Sequence, residues 1–136
     1  MNSRTKTKRP PVRLIDTEAD ILTNLALSAS GHAAQTGELL LEEIARASIF
    51  TADRLPTDVI TMRSLVEFED AGSGTMRTVQ LVYPADADIS AGRISILTPV
   101  GAGLIGISEG HAIDWPDRDG RRRPLNIRKV TQPRRA

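Results

Sequence analysis

The stretch from Arg93 to Gly110, RISILTPVGAGLIGISEG, constrains this chain more than any other. An apolar strand, Ile94-Ser95-Ile96-Leu97, runs into Thr98-Pro99. Proline fixes its own φ and pushes the residue before it toward an extended conformation, so the strand ends there. Gly101, Gly103 and Gly106 then let backbone approach backbone closely. Two readings stand open. The segment is either a tightly packed turn and short helix with no role of its own, or a shaped surface that meets a partner.

The rest of the chain supplies a domain around this segment. A helix is expected to begin near Thr17, where Thr17-Glu18-Ala19-Asp20 has the spacing of a capping box. Ala19, Leu22, Leu25 or Ala26, and Ala29 recur at helical spacing until Ser30-Gly31-His32 breaks it. A second helix is expected from about Thr36 to Ile49, with Leu40, Leu41, Ile44, Ala45 and Ala47 or Ser48 on its apolar face and Glu38, Glu42, Glu43 and Arg46 on its wet one. Glu42 and Arg46 then form an i,i+4 pair. The short connection implies an antiparallel hairpin.

Strand patterns follow Pro56: Val59–Met62, then Leu65–Phe68, the turn Ala71–Gly74 and its partner Thr75–Tyr83. Asp86–Gly92 reads as a polar loop or one helical turn. Arg93–Leu97 is the next strand and Gly101–Ile107 a short helix. Ala112–Trp115 and Leu125–Val130 are further strands, with a turn at Asp117–Gly120 between them. Some five strands around one short helix make an antiparallel α+β domain.

Composition narrows the chemistry. The hydrophobic fraction of 40% suffices for a core, but aromatics are only 3%: Phe50, Phe68, Tyr83 and Trp115. The absence of cysteine excludes disulfides and thiolate metal sites. No apolar run approaches the ~18 residues that span a bilayer. The N-terminus is basic but has no apolar signal core, so a cytoplasmic protein without a membrane partner is expected.

The net charge of +1 hides a segregation. Residues 1–13 and 121–136 hold 12 of the 18 basic residues and no acid, while the 17 acids lie between residues 14 and 120 against 6 bases. Residues 1–11 read as a disordered basic tail. Arg121, Arg122, Arg123, Arg128 and Lys129 are candidate nucleic-acid contacts, or else solvated charges.

Catalytic groupings do not emerge. His32 and His111 lie in no metal-ligand spacing and read as surface or turn residues. Gly101-x-Gly103-x-x-Gly106 spells a dinucleotide fingerprint without a βαβ unit of the usual length. Asp117-Arg118-Asp119-Gly120 is too short for a calcium loop. Asp86 and Asp88 read as loop caps. No catalytic residue, metal, cofactor or small-molecule substrate is expected.

Several of these segments together resemble the C-terminal domain of the Gre transcription factors, whose signature reads roughly I-S-x-x-S-P-[LIV]-G-x-A-L-[LI]-G-x-x-x-G-D. Ile94-Ser95, Pro99-Val100-Gly101, Leu104-Ile105-Gly106 and Gly110 match. Thr98 replaces Ser, Gly103 replaces Ala and His111 replaces Asp. Arg63-Ser64-Leu65-Val66 resembles the G-S-x-V strand start, and Val82–Asp88 sits where Gre factors have V-G-x-x-E-A-D. Leu55-Pro56, Asp58–Met62 and the L-V-Y-P-A string resemble the narrower Rnk family, named regulators of nucleoside diphosphate kinase. The resemblance covers about residues 12–133.

That resemblance implies an FKBP-like fold for residues 53–133, preceded by a helical hairpin, a short coiled coil, over 12–52. Residues 56–133 hold every strand and are expected to fold without the hairpin. Prolyl isomerase activity is disfavoured, because four aromatics cannot wall a proline pocket. The implied partner is bacterial RNA polymerase. Gre C-terminal domains dock on the rim of its secondary channel while the hairpin enters the channel, and the docking segment maps here onto Thr98, Pro99, Val100 and Gly101. The hairpin tip, Ser28–Thr36, has no Asp or Glu, so docking and competition with Gre-type factors are expected, without transcript cleavage. The alternative is a nucleic-acid-binding module working through its basic termini.

Overall fold

Alternating apolar residues build the centre of the molecule. The computed structural model describes residues 10–116 and 122–133. Leu65–Asp70 (β3) and Thr75–Val82 (β4) pair as an antiparallel hairpin across Ala71–Gly74. Val66, Phe68, Val79 and Leu81 turn inward from it and are buried. Arg122–Thr131 (β7) pairs antiparallel with β3, and Ala112–Pro116 (β6) with β7. Arg93–Ser95 (β5) joins the other edge of the sheet parallel to β4. The order is β5-β4-β3-β7-β6, so the α+β class stands, with one parallel edge in an otherwise antiparallel sheet.

Two helices precede the sheet. Asp16–Ser28 (α1) and Ala34–Ala45 (α2) form the hairpin, joined through a 3-10 turn at Gly31–Ala33. Ala19, Leu22, Ala26 and Leu40 enter the same core as Ile60, Met62, Val66, Leu81 and Leu104. Hairpin and sheet therefore share one apolar interior.

A short parallel pair, Arg13–Ile15 (β1) with Ser48–Phe50 (β2), ties the two ends of the hairpin together. The Arg13 N–H also donates to the Gly106 carbonyl at 3.0 Å. Gly106 adopts φ +78, and a Cβ there would stand 2.5 Å from Val12 Cγ1. A side chain at position 106 would push β1 off the core.

Several expectations need correction. The first helix begins at Asp16, directly after β1, and has no side-chain cap at its Ile15 N-cap. Thr17 lies inside the helix, its N–H bonded to Asp16 Oδ1 at 2.7 Å, so no capping box forms from Thr17. The second helix spans Ala34–Ala45 rather than Thr36–Ile49, because Ser48 and Ile49 leave to pair with β1.

Its buried face is also rotated from the expected one. Glu43 is buried while Ala45 is exposed. Arg46 pairs with Glu43 at 2.8 Å, not with Glu42. The helix ends at Ala45, and from there Arg46 Nη1 also reaches the Pro10 carbonyl at 2.8 Å.

Val59–Met62 is buried but is not a strand. Ile60 exchanges backbone bonds with Ile107 and Gly106, and a turn closes at Ser64, whose N–H bonds the Thr61 carbonyl at 3.1 Å. The turn expected at Asp117–Gly120 lies outside the described residues. The side chains of Trp115, Arg122 and Arg123 do so as well. No helix among the described residues is long and apolar enough to cross a membrane.

Candidate partner-docking site

The Thr98–Gly101 segment is the start of a helix rather than a loop. The short helix α3 spans Pro99–Leu104, starting two residues before the expected Gly101 and ending three before Ile107. Pro99 occupies its first position, where a missing N–H costs nothing and the fixed φ suits a helix. Thr98 is the N-cap: its Oγ1 accepts from the Gly101 N–H at 3.1 Å and donates to the Ser95 carbonyl at 2.7 Å. The Ser95 hydroxyl in turn accepts from the Leu97 N–H at 3.0 Å. The entry to α3 is therefore rigid before any partner arrives.

The four residues differ in what they offer. Pro99 is exposed, Thr98 and Val100 are half-buried, and Gly101 is buried. A Cβ at Gly101 would collide with the Ser95 carbonyl and lie 3.0 Å from Ile96 Cα. Gly101 thus seats α3 on the end of β5 and leaves Pro99 and Val100 at the surface.

The basic candidates are not one patch. Arg121 lies outside the described residues. Arg122 and Arg123 lie in β7, in register with Pro116 and Trp115. Arg128 is exposed and ion-paired with Glu69. Lys129 stands in register with Glu67.

His111 is half-buried, and its carbonyl accepts from the Ile127 N–H at 2.9 Å. His32 is exposed in the interhelical turn. No group of three potential metal ligands occurs among the described residues. Asp88 caps the 3-10 turn Ile89–Ala91, accepting from Ser90 N at 3.1 Å and Ser90 Oγ at 2.6 Å. The Ser90 hydroxyl bond, chiefly, holds the Asp88 carboxyl below its ordinary range.

One cluster was not anticipated. Arg63 is the third residue of the Thr61–Ser64 turn and takes φ +69, alone among the described non-glycine residues. A left-handed backbone costs a residue bearing a Cβ roughly 1–2 kcal/mol. The conformation is held from all sides. Arg63 N–H donates to the Leu81 carbonyl at 2.6 Å, and Gln80 Nε2 donates to the Arg63 carbonyl at 3.1 Å. Met62 N–H donates to Glu18 Oε1 at 3.3 Å, and Thr61 N–H to Ser64 Oγ at 2.9 Å.

The Arg63 guanidinium lies over the Tyr83 ring, 5.5 Å from its centroid. Burial pushes the Tyr83 hydroxyl above its ordinary pKa and the Glu18 charge adds to this, while Arg63 opposes it. The signal for this pair was present in the motif comparison. Arg63 and Tyr83 both stand where the G-S-x-V and V-G-x-x-E-A-D patterns carry glycine.

Comparison with known proteins places this geometry. The profile of the family described as "Transcription elongation factor, GreA/GreB, C-term" matches residues 55–132. The "Regulator of nucleoside diphosphate kinase" of Escherichia coli K12 is 33% identical over 107 residues, covering 79% of each chain. A "Transcription elongation factor GreA" of Azorhizobium caulinodans is 30% identical over 119 residues, covering 82% of this chain and 76% of the relative. A solved GreA/GreB elongation factor from Nitrosomonas europaea superposes with a TM-score of 0.73 at 34% identity, over 91% of this chain and 100% of that one. With the capped Thr98-Pro99 entry and the helical hairpin in place, the chain belongs to the GreA/GreB family, alongside the regulators of nucleoside diphosphate kinase.

Proposed function

We infer that this protein is a transcription regulator that docks on bacterial RNA polymerase at its secondary channel and competes there with Gre-type factors, without stimulating transcript cleavage. The observation that carries this reading is the family match across residues 55–132. Within that match Pro99 stands exposed on a helix entry fixed by Thr98. A surface already locked by a cap and a proline loses little conformational entropy on binding.

Binding through the basic termini is less favoured. Arg128 is held by Glu69, and Lys129 lies beside Glu67. The two readings separate by deletion and salt. A polymerase binder keeps its affinity without residues 1–9. A tail-driven nucleic-acid binder loses it with truncation and steeply with salt.

Equilibrium binding to core RNA polymerase tests the site. Pro99→Ala and Thr98→Asp are expected to weaken binding by on the order of 1–3 kcal/mol, the cost of a residue near an interface centre. Pro99→Ala is expected to keep the fold, since alanine suits the first turn of a helix. Thr98→Asp keeps the cap to the Gly101 N–H but gives up the donation to the Ser95 carbonyl, so its melting temperature is measured beside its binding. Unaltered binding by both would reduce the segment to a structural turn.

A further inference from the structure

We propose that Arg63 and Tyr83 form a second anchor on the same docking face, a cation–aromatic pair that takes a carboxylate on the RNA polymerase surface. This rests on the polymerase-binding reading above. The backbone carries the first part of the case. Every bond that fixes the Thr61–Ser64 turn uses main chain, Glu18, Gln80, Thr61 or Ser64, and none uses the Arg63 side chain. Glycine would satisfy all of them and relieve the positive φ. The strain accompanies a side chain that its own turn does not need.

Position carries the second part. Tyr83 follows Val82, the last residue of β4. Val82 lies in parallel register with Ser95, and its carbonyl accepts from the Ile96 N–H at 2.8 Å. Tyr83 and the Ser95–Pro99 entry to α3 therefore sit at the same end of neighbouring strands. Arg63 reaches this end through its bond to Leu81.

Charge identifies the partner. The Arg63 side chain is exposed with its guanidinium over the Tyr83 ring, and a guanidinium's N–H groups suit bidentate recognition of a planar carboxylate. Among the described residues no acid forms a salt bridge with Arg63. Asp86 and Asp88 are exposed just beyond Tyr83, and the Glu18 charge acts on the same ring. These acids repel a phosphodiester backbone, which brings many charges, more than one carboxylate that meets Arg63 alone. A protein surface is thus favoured over RNA.

The test is equilibrium binding of the full chain to core RNA polymerase, and separately to single-stranded RNA, over a series of salt concentrations, with melting temperature measured in parallel. Arg63→Gly is expected to melt at the wild-type temperature or above it. It should bind about tenfold more weakly, between the losses seen for exposed and for buried charge pairs, and with a flatter salt dependence. Arg63→Lys, which keeps the charge but not the plane, is expected to fall between the two. Pro99→Ala serves as the control for the docking reading. If Pro99→Ala weakens binding while Arg63→Gly binds like wild type at every salt concentration, the second anchor is wrong and the docking reading stands. If wild type does not bind the polymerase, both fall. A lower melting temperature for Arg63→Gly would make Arg63 structural, and loss of RNA binding alone would make RNA the ligand. Either result overturns the proposal.

Discussion

Gly37 of α2 rests directly on the Ala26 carbonyl of α1: a Cβ at position 37 would stand 2.8 Å from that oxygen and 3.0 Å from Ala29 Cβ. Glycine inside a helix costs about 1 kcal/mol relative to alanine. Overpacking a close contact costs about 1–3 kcal/mol. The obstacle here is backbone, which cannot swing aside, so packing outweighs propensity. Gly37→Val is expected to lower stability by about 1–3 kcal/mol in urea unfolding. Gly37→Ala should lose less, because propensity returns part of the cost.

Removing the hairpin should unfold the sheet. Leu22, Ala26 and Leu40 cover the same interior as Ile60, Met62 and Leu104, and each buried leucine contributes roughly 1.5–3 kcal/mol. A domain stable by only about 5–15 kcal/mol does not survive the loss of several. A fragment of residues 56–133 is therefore expected to give poorly dispersed amide resonances and no cooperative melt, contrary to the expectation from strand content alone. A sharp melt from the fragment would show that the sheet closes its own core.

Tyr83 is the single tyrosine, so tyrosinate absorbance reports one site. Burial first, then the Glu18 charge, raise its pKa, and Arg63 partly offsets them. In the unfolded chain tyrosine ionises near 10. The folded state therefore holds its proton longer, and the unfolded chain ionises first as pH rises. Stability from this site is intact below the unfolded value and is lost as pH climbs through the folded one. An ultraviolet titration should give a midpoint above the ordinary value. Glu18→Gln should lower it and Arg63→Gly should raise it further. A midpoint indifferent to both variants would disprove the coupling.

Cleavage should be absent. The hairpin turns at Gly31–Ala33, and the acid nearest the tip, Glu38, is exposed within α2. A catalytic Mg²⁺ needs hard oxygen ligands, and the turn supplies no carboxylate. With 13 residues, α1 spans about 20 Å at 1.5 Å per residue, a short reach. Adding the protein to a backtracked elongation complex with labelled RNA is expected to yield no short 3′ products, while it slows cleavage by a Gre-type factor added with it. Cleavage by this protein alone, lost in Glu38→Ala, would restore an assisting role.

Where sequence period and tertiary demand agree, the fold was legible. Val66, Phe68, Val79 and Leu81 alternate and flank a glycine turn, and β3 and β4 lie where that pattern puts them. The hairpin was legible from helical spacing. Three-residue strands carry no period, so β1 and β2 were missed and Ser48 read as helix. Val59–Met62 looked like a strand because it is apolar, yet its backbone groups are divided among Ile107, Glu18 and Ser64. At the site, a hydroxyl before proline is itself an N-cap pattern, which places α3 at Pro99. Arg63 was invisible to pattern because arginine gives no hint of a left-handed backbone; only its stand-in for glycine marked it.

The bond between Arg13 and Gly106 joins the first strand to a residue synthesised much later. During synthesis the hairpin leaves the ribosome first and β1 can pair with β2, but that pair has no seat on the core until residue 106 has followed. The most distant contacts in sequence are thus among those that seat the core, and loop closure over that span must precede their reward. Nascent chains stalled before Gly106 lack that seat for Val12 and Leu14, and the sheet itself closes only when β7, the last strand, arrives to pair with β3 and β6.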